Sequence, residues 1–90
     1  MKFIYKIASG SLNSFTKEYW FNDSYFTSLK KAEYEITRIL KINEAENIKE
    51  VRTPSKRFVP CSGITIAKIN YDGEQGRYKA LIILTKLEIR

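Results

Sequence analysis

The chain is expected to fold as α+β, an antiparallel sheet of two hairpins with one amphipathic helix packed on one face, and three stretches carry that expectation. Thr27 to Lys41 has helical periodicity, Lys2 to Ala8 alternates like a half-buried strand, and Asp72-Gly73 divides two apolar runs as a hairpin turn does. The element order that follows is ββα(β)ββ. Ninety residues correspond to a single domain, 1–90, which buries roughly 60–65% of the surface its unfolded chain exposes.

In chain order, Phe3, Tyr5 and Ile7 fall on one side of the first strand, with Lys2, Ile4 and Lys6 on the other. Ser9-Gly10-Ser11-Leu12-Asn13-Ser14 is turn chemistry. Phe15 to Phe21 resumes the alternation, and Asn22-Asp23-Ser24 is expected to break it. Thr27 or Ser28 then supplies the helix N-cap, and the helix is expected to run to about Ile42. At about 100° per residue from Lys30, Leu29, Ala32, Ile36, Ile39 and Leu40 fall at roughly 180–280°, which makes them the core face. Lys30, Tyr34, Arg38 and Lys41 fall at about 0–80°, on the opposite face.

Ile48 to Arg52 reads as a short edge strand, and the prolines and glycine of Thr53 to Gly63 argue against regular structure there. Ile64 to Tyr71 is a strand, Asp72 to Gly76 a turn, and Arg77 to Arg90 the last strand. The centre of that strand, Ala80-Leu81-Ile82-Ile83-Leu84, is apolar on both faces, as in a central strand or one covered by another chain. A single helix covers only one face, so a homodimer across the other is expected. Tyr19, Trp20, Tyr25, Tyr71 and Tyr78 are assigned to the core as strand aromatics.

Sixteen Lys and Arg against ten Asp and Glu give a net charge of +6, which favours polyanions: RNA, DNA, anionic lipid or an acidic protein. The plainer alternative is the free use of Lys in chains from AT-rich genomes. The excess is uneven: residues 44–50 carry one cation and three anions, against eight and three over residues 51–90. With no histidine, His-based acid/base chemistry, Ser-His or Cys-His pairs and Cys/His zinc sites are excluded. Cys61 is the only cysteine, so no intrachain disulfide forms and a reducing compartment is the better reading. Lys6 interrupts the opening apolar run, and no stretch nears the roughly 18–20 apolar residues of a membrane span, so a cytoplasmic protein without membrane contact is expected. There is no Walker sequence, GxGxxG or metal-ligand cluster, so neither an enzyme nor a cofactor is expected.

The candidate site is therefore electrostatic. At the helix N-terminus, Thr27 and Ser28 offer hydroxyls and Lys30 and Lys31 offer cations beside unpaired backbone amides, an arrangement suited to phosphate. Lys30, Tyr34, Arg38 and Lys41 continue along roughly 16 Å of helix, where cations can follow a phosphate backbone and a tyrosine can stack on an unpaired base. The alternative is a solvated face laced by pairs such as Lys31-Glu35. A second basic site is the loop with Arg52, Lys56 and Arg57 next to Phe58. RNA is preferred to duplex DNA because the helix start lacks the Asn, Gln and Arg of a major-groove reader.

The run Tyr25-Phe26-Thr27-Ser28-Leu29-Lys30-Lys31-Ala32 resembles the strand-to-helix junction of small early proteins of T-even-like phages, which share the small size and the Lys/Ile/Asn/Tyr-rich usage. Where those proteins often carry Glu after Ser-Leu, this chain carries Lys30 and Lys31. The resemblance implies a host-takeover or anti-defence protein in the host cytoplasm. Such proteins act by binding RNA in a toxin–antitoxin system or by covering a host enzyme as a protein–protein inhibitor.

Overall fold

In the computed structural model, which describes residues 2–13, 15–52 and 64–89, the chain runs β1 (Lys2–Leu12), β2 (Tyr19–Phe26), α1 (Leu29–Ile42), β3 (Glu46–Arg52), β4 (Ile64–Gly73) and β5 (Tyr78–Ile89). The strands form one sheet in the order β2-β1-β5-β4-β3, with every neighbouring pair antiparallel. The expected α+β architecture is thus the observed one. Its apolar run puts β5 at the centre, where strands β1 and β4 flank it. The polar strands β2 and β3 take the edges.

Helix α1 leaves β2 at one edge, crosses one face of the sheet and delivers the chain to β3 at the other. Ser28 is the N-cap, its hydroxyl accepting from the Lys31 amide at 3.2 Å. Ala32 and Ile36 are the buried helix residues, and they join Ile7, Ala67, Ile69, Tyr71, Ala80, Ile82 and Leu84 in a single core. The register explains this membership: Ile7 and Ala67 both pair with Leu84, Ile69 with Ile82 and Tyr71 with Ala80. Side chains in one such row point to one face. Each fully buried aliphatic contributes about 1.5–3 kcal/mol relative to exposure.

Asn43 ties the helix end to the β4–β5 hairpin. Its side-chain amide donates to the Ile39 carbonyl at 2.9 Å and to the Tyr71 hydroxyl at 3.3 Å, while its side-chain oxygen accepts from the Tyr78 hydroxyl at 3.2 Å. Its backbone carbonyl accepts from the Glu74 amide at 2.7 Å. Burial pushes the Tyr71 and Tyr78 hydroxyls up from the usual tyrosine range, because the phenolate would be poorly solvated there.

The first hairpin differs from its sequence reading. Ser9 to Leu12 continue β1, and Asn22-Asp23-Ser24 lie inside β2 rather than ending it. At Gly10 a Cβ would stand 1.9 Å from the Trp20 carbonyl oxygen, so this glycine serves close strand approach instead of a turn. The reversal falls later, where the Asn13 side chain accepts from the Phe15 and Thr16 amides at 2.8 and 3.2 Å. An edge strand tolerates Asn22 to Ser24 because it pairs on one side only, and Asp23 gains an ion pair with Lys6 at 3.6 Å. The last hairpin is also displaced: Gly73 ends β4 beneath the Tyr78 ring, and the turn is Glu74 to Arg77. Tyr71 is buried as expected of a core aromatic, whereas Trp20 and Tyr25 are exposed, at 68% and 56%. Both lie on the edge strand, beyond the cover of α1.

Candidate nucleic-acid interface

The outer side of α1 exposes the residues that the periodicity places there. Lys30, Lys31, Tyr34, Arg38 and Lys41 are all exposed, Tyr34 to 73%. The first helical turn contains no acidic residue, so no carboxylate offsets the lysines beside the positive end of the helix dipole. Thr27 is exposed and directly precedes the Ser28 cap. The Ser28 hydroxyl already accepts from the Lys31 amide, which leaves it less able to serve an external anion.

The four cations are not equivalent. Arg38 is held by Glu35 on the same helix, its Nε donating at 2.9 Å and its Nη2 donating to the other carboxylate oxygen. The hydrogen-bonded Arg38 holds the Glu35 carboxyl below the usual carboxylate range, and Glu35 in turn raises the Arg38 guanidinium. Lys30, Lys31 and Lys41 enter no salt bridge among the described residues. The stripe is therefore three available ammonium groups around one exposed ring, plus an arginine committed to its neighbour.

Arg52 ends β3 rather than opening a loop. Its Nη1 donates to Glu33 on α1 at 2.7 Å and its Nε donates to Glu50 at 2.6 Å. It acts as a strut between the sheet edge and the helix, and the Glu33 hydrogen bond is the main reason its guanidinium is raised. Two carboxylates offset the charge, so Arg52 contributes position more than attraction. The contact does bring the end of β3 to the Glu33 border of the helical stripe. Lys56 and Arg57, with Phe58 and Cys61, lie outside the described residues.

Among the described residues no three His, Cys, Asp or Glu side chains come together, and no helix is long and apolar enough to cross a membrane. Sequence reasoning did not single out the face of the sheet turned away from α1 as a surface with named residues. Its signal was present in the doubly apolar run of β5, but assigning the other strands to that face requires the register. Comparison of the chain with protein-family models, with curated proteins and with solved structures gives no match.

Proposed function

We propose that the protein is a small non-enzymatic RNA-binding protein that contacts the phosphate backbone through Lys30, Lys31 and Lys41, with Tyr34 stacking on an unpaired base. The observation that supports this reading best is the set of three lysines without salt bridges, among the described residues, around a ring exposed to 73%. Lysines in that state release condensed counterions when they meet phosphates, and an open aromatic face stacks on any base. Thr27, Ser28, Arg38 and Arg52 border the contact and orient it, Arg38 and Arg52 being partly neutralised by their carboxylate partners. In biological terms the protein would be phage-encoded and would antagonise a host RNA-directed defence such as a toxin–antitoxin ribonuclease.

The test is binding to a single-stranded RNA oligonucleotide as a function of salt. With three to five phosphate contacts the logarithm of affinity falls against the logarithm of salt with a slope of about −2 to −3.5. The triple change Lys30→Glu, Lys31→Glu, Lys41→Glu abolishes most of the binding. Glu at the first two positions also suits the helix dipole, by about 0.3–1 kcal/mol each, so the variant stays folded while it loses RNA. Affinity that ignores salt, or survives the triple change, defeats the proposal.

A second reading is favoured by Ile42, which is 63% exposed at the end of the same helix. An apolar side chain beside lysines suits an acidic protein surface better than a phosphate chain. An inhibitor of this kind forms a complex with a host enzyme that survives ribonuclease treatment.

A further inference from the structure

Helix α1 covers one face of the sheet, and no described element packs on the other. With Ile7, Ile82 and Leu84 turned toward the helix, the alternate positions of β1 and β5 point away from it. They include Ile4, Ala8, Leu81, Ile83 and Leu87. The pairs Ile4↔Leu87, Ala8↔Ile83 and Gly10↔Leu81 form an aliphatic strip down the middle of the sheet, interrupted at Lys6↔Thr85, where Lys6 is paired with Asp23 at 3.6 Å. A sheet face that looks on water ordinarily bears polar residues. Here, apart from the Lys6–Asp23 ion pair, the charges stand at the strand ends, as Lys2, Asp72 and Lys79 do, and toward the margins. On the same face β2 presents Phe21, Asp23 and Tyr25, while the opposite side presents Lys68 from β4 and Lys49 from β3.

We infer that this face joins two copies of the chain, packed sheet on sheet. Area, chemistry and charge favour a second copy as the occupant. Five strands spaced about 4.8 Å apart, over about eight residues, give a face of roughly 600 Å² in projection, and side-chain relief raises it toward the roughly 800 Å² per partner of a stable interface. Within the strip the Lys6 ammonium is already paired with Asp23, so a nucleic acid would dehydrate Leu81 and Ile83 for little pairing of its own charges. The margins are self-complementary as a two-fold contact requires. An axis parallel to the strands swaps the edges, and lays the Phe21, Asp23 and Tyr25 margin of one copy over the Lys49 and Lys68 margin of the other. Ammonium groups then face the Phe21 and Tyr25 rings, beside an Asp23 carboxylate that also holds Lys6 of its own chain. Because α1 lies on the far side of each sheet, the dimer turns two helical lysine stripes outward, one on each outer surface.

The deciding measurement is the solution mass of the full chain by sedimentation from about 1 µM to about 100 µM. The expected result is twice the chain mass of 10.5 kDa. Leu81→Lys raises the dissociation constant by about 100-fold or more, because a charge is buried at the centre of the contact. Ile83→Thr keeps a β-branched strand residue, so it decides the matter if the lysine variant fails to fold. Lys68→Glu weakens the dimer, whereas Lys30→Glu leaves its mass unchanged. A wild-type monomer across the whole range overturns the inference, as does a dimer that tolerates both Leu81→Lys and Ile83→Thr. Protection of the Leu81 and Ile83 amides by RNA in a monomer, or by an unrelated protein in a one-to-one complex, also overturns it. Loss of the dimer with salt-dependent RNA binding retained leaves the functional proposal standing, so the two fail separately.

Discussion

Ile82 and Ile83 are consecutive, chemically identical and differently housed. Ile82 is fully buried beneath α1, while Ile83 is half-buried on a face that no described element covers. The same contrast extends over the whole sheet. On the helix side Ile7, Ile82 and Leu84 are sealed, and the Asn43 hydrogen bonds to Tyr71 and Tyr78 hold the helix end in place. On the other side, among the described residues, Ile4, Ala8, Leu81 and Leu87 are shielded by their neighbours along and across the strands. A run such as Ala80 to Leu84 states that both faces of a strand avoid water. It does not state what covers each.

The largest break in this comparison comes from truncating the two isoleucines in turn. Ile82→Ala removes buried methylenes and leaves a cavity, which lowers stability by about 2–5 kcal/mol. Ile83→Ala costs less than about 1 kcal/mol in dilute protein, where the open face is hydrated in either case. Urea denaturation at two protein concentrations reads both numbers. The gap narrows at high concentration if copies cover Ile83.

A smaller effect is expected where the faces meet through the backbone. Gly10→Ala drives a Cβ into the Trp20 carbonyl, and backbone cannot rotate away as a side chain can. The loss is about 1–3 kcal/mol by thermal unfolding. If the variant melts like the parent, the close approach of β1 and β2 is not obligatory.

The smallest effect tests the covered face by pH. Tyr71 and Tyr78 have hydroxyls raised above the ordinary value of 10.0, so the folded state keeps them neutral where the unfolded state has begun to ionise. The stability they contribute is complete below pH 10.0 and declines as pH rises from there through the folded-state values. Melting temperature against pH checks this, and Tyr71→Phe should flatten part of the decline. Glu35 acts in the opposite direction, since Arg38 lowers its carboxyl. That ion pair is intact at neutral pH and is lost only as pH falls through the lowered value.

Much of the architecture was legible because it rests on local periodicity. The helix was read from Ser28, Ala32 and Ile36, and the observed Leu29–Ile42 follows those signals. The turns were less legible because Gly10 and Asn22 to Ser24 have strong turn propensities that strand pairing overrides. Of the candidate site, the exposure of Lys30, Tyr34, Arg38 and Lys41 followed from the helical angle alone, while Lys31 was singled out by its place in the first turn. The pairing of Arg38 was within reach too, as Glu35 lies three residues away on the same helix. The ion pair between Arg52 and Glu33 was not, because those residues are 19 positions apart and meet only after β3 takes the sheet edge.

Composition and periodicity decided the fold class, the basic charge, the absence of histidine chemistry and the two faces of the helix, since each depends on residues close in sequence. The tertiary structure decided the strand order, which cations remain unpaired and which side chains share the open face of the sheet. Those properties depend on register between strands that are distant in the chain. A shift of one residue in the β1–β5 register would turn every side chain to the opposite face.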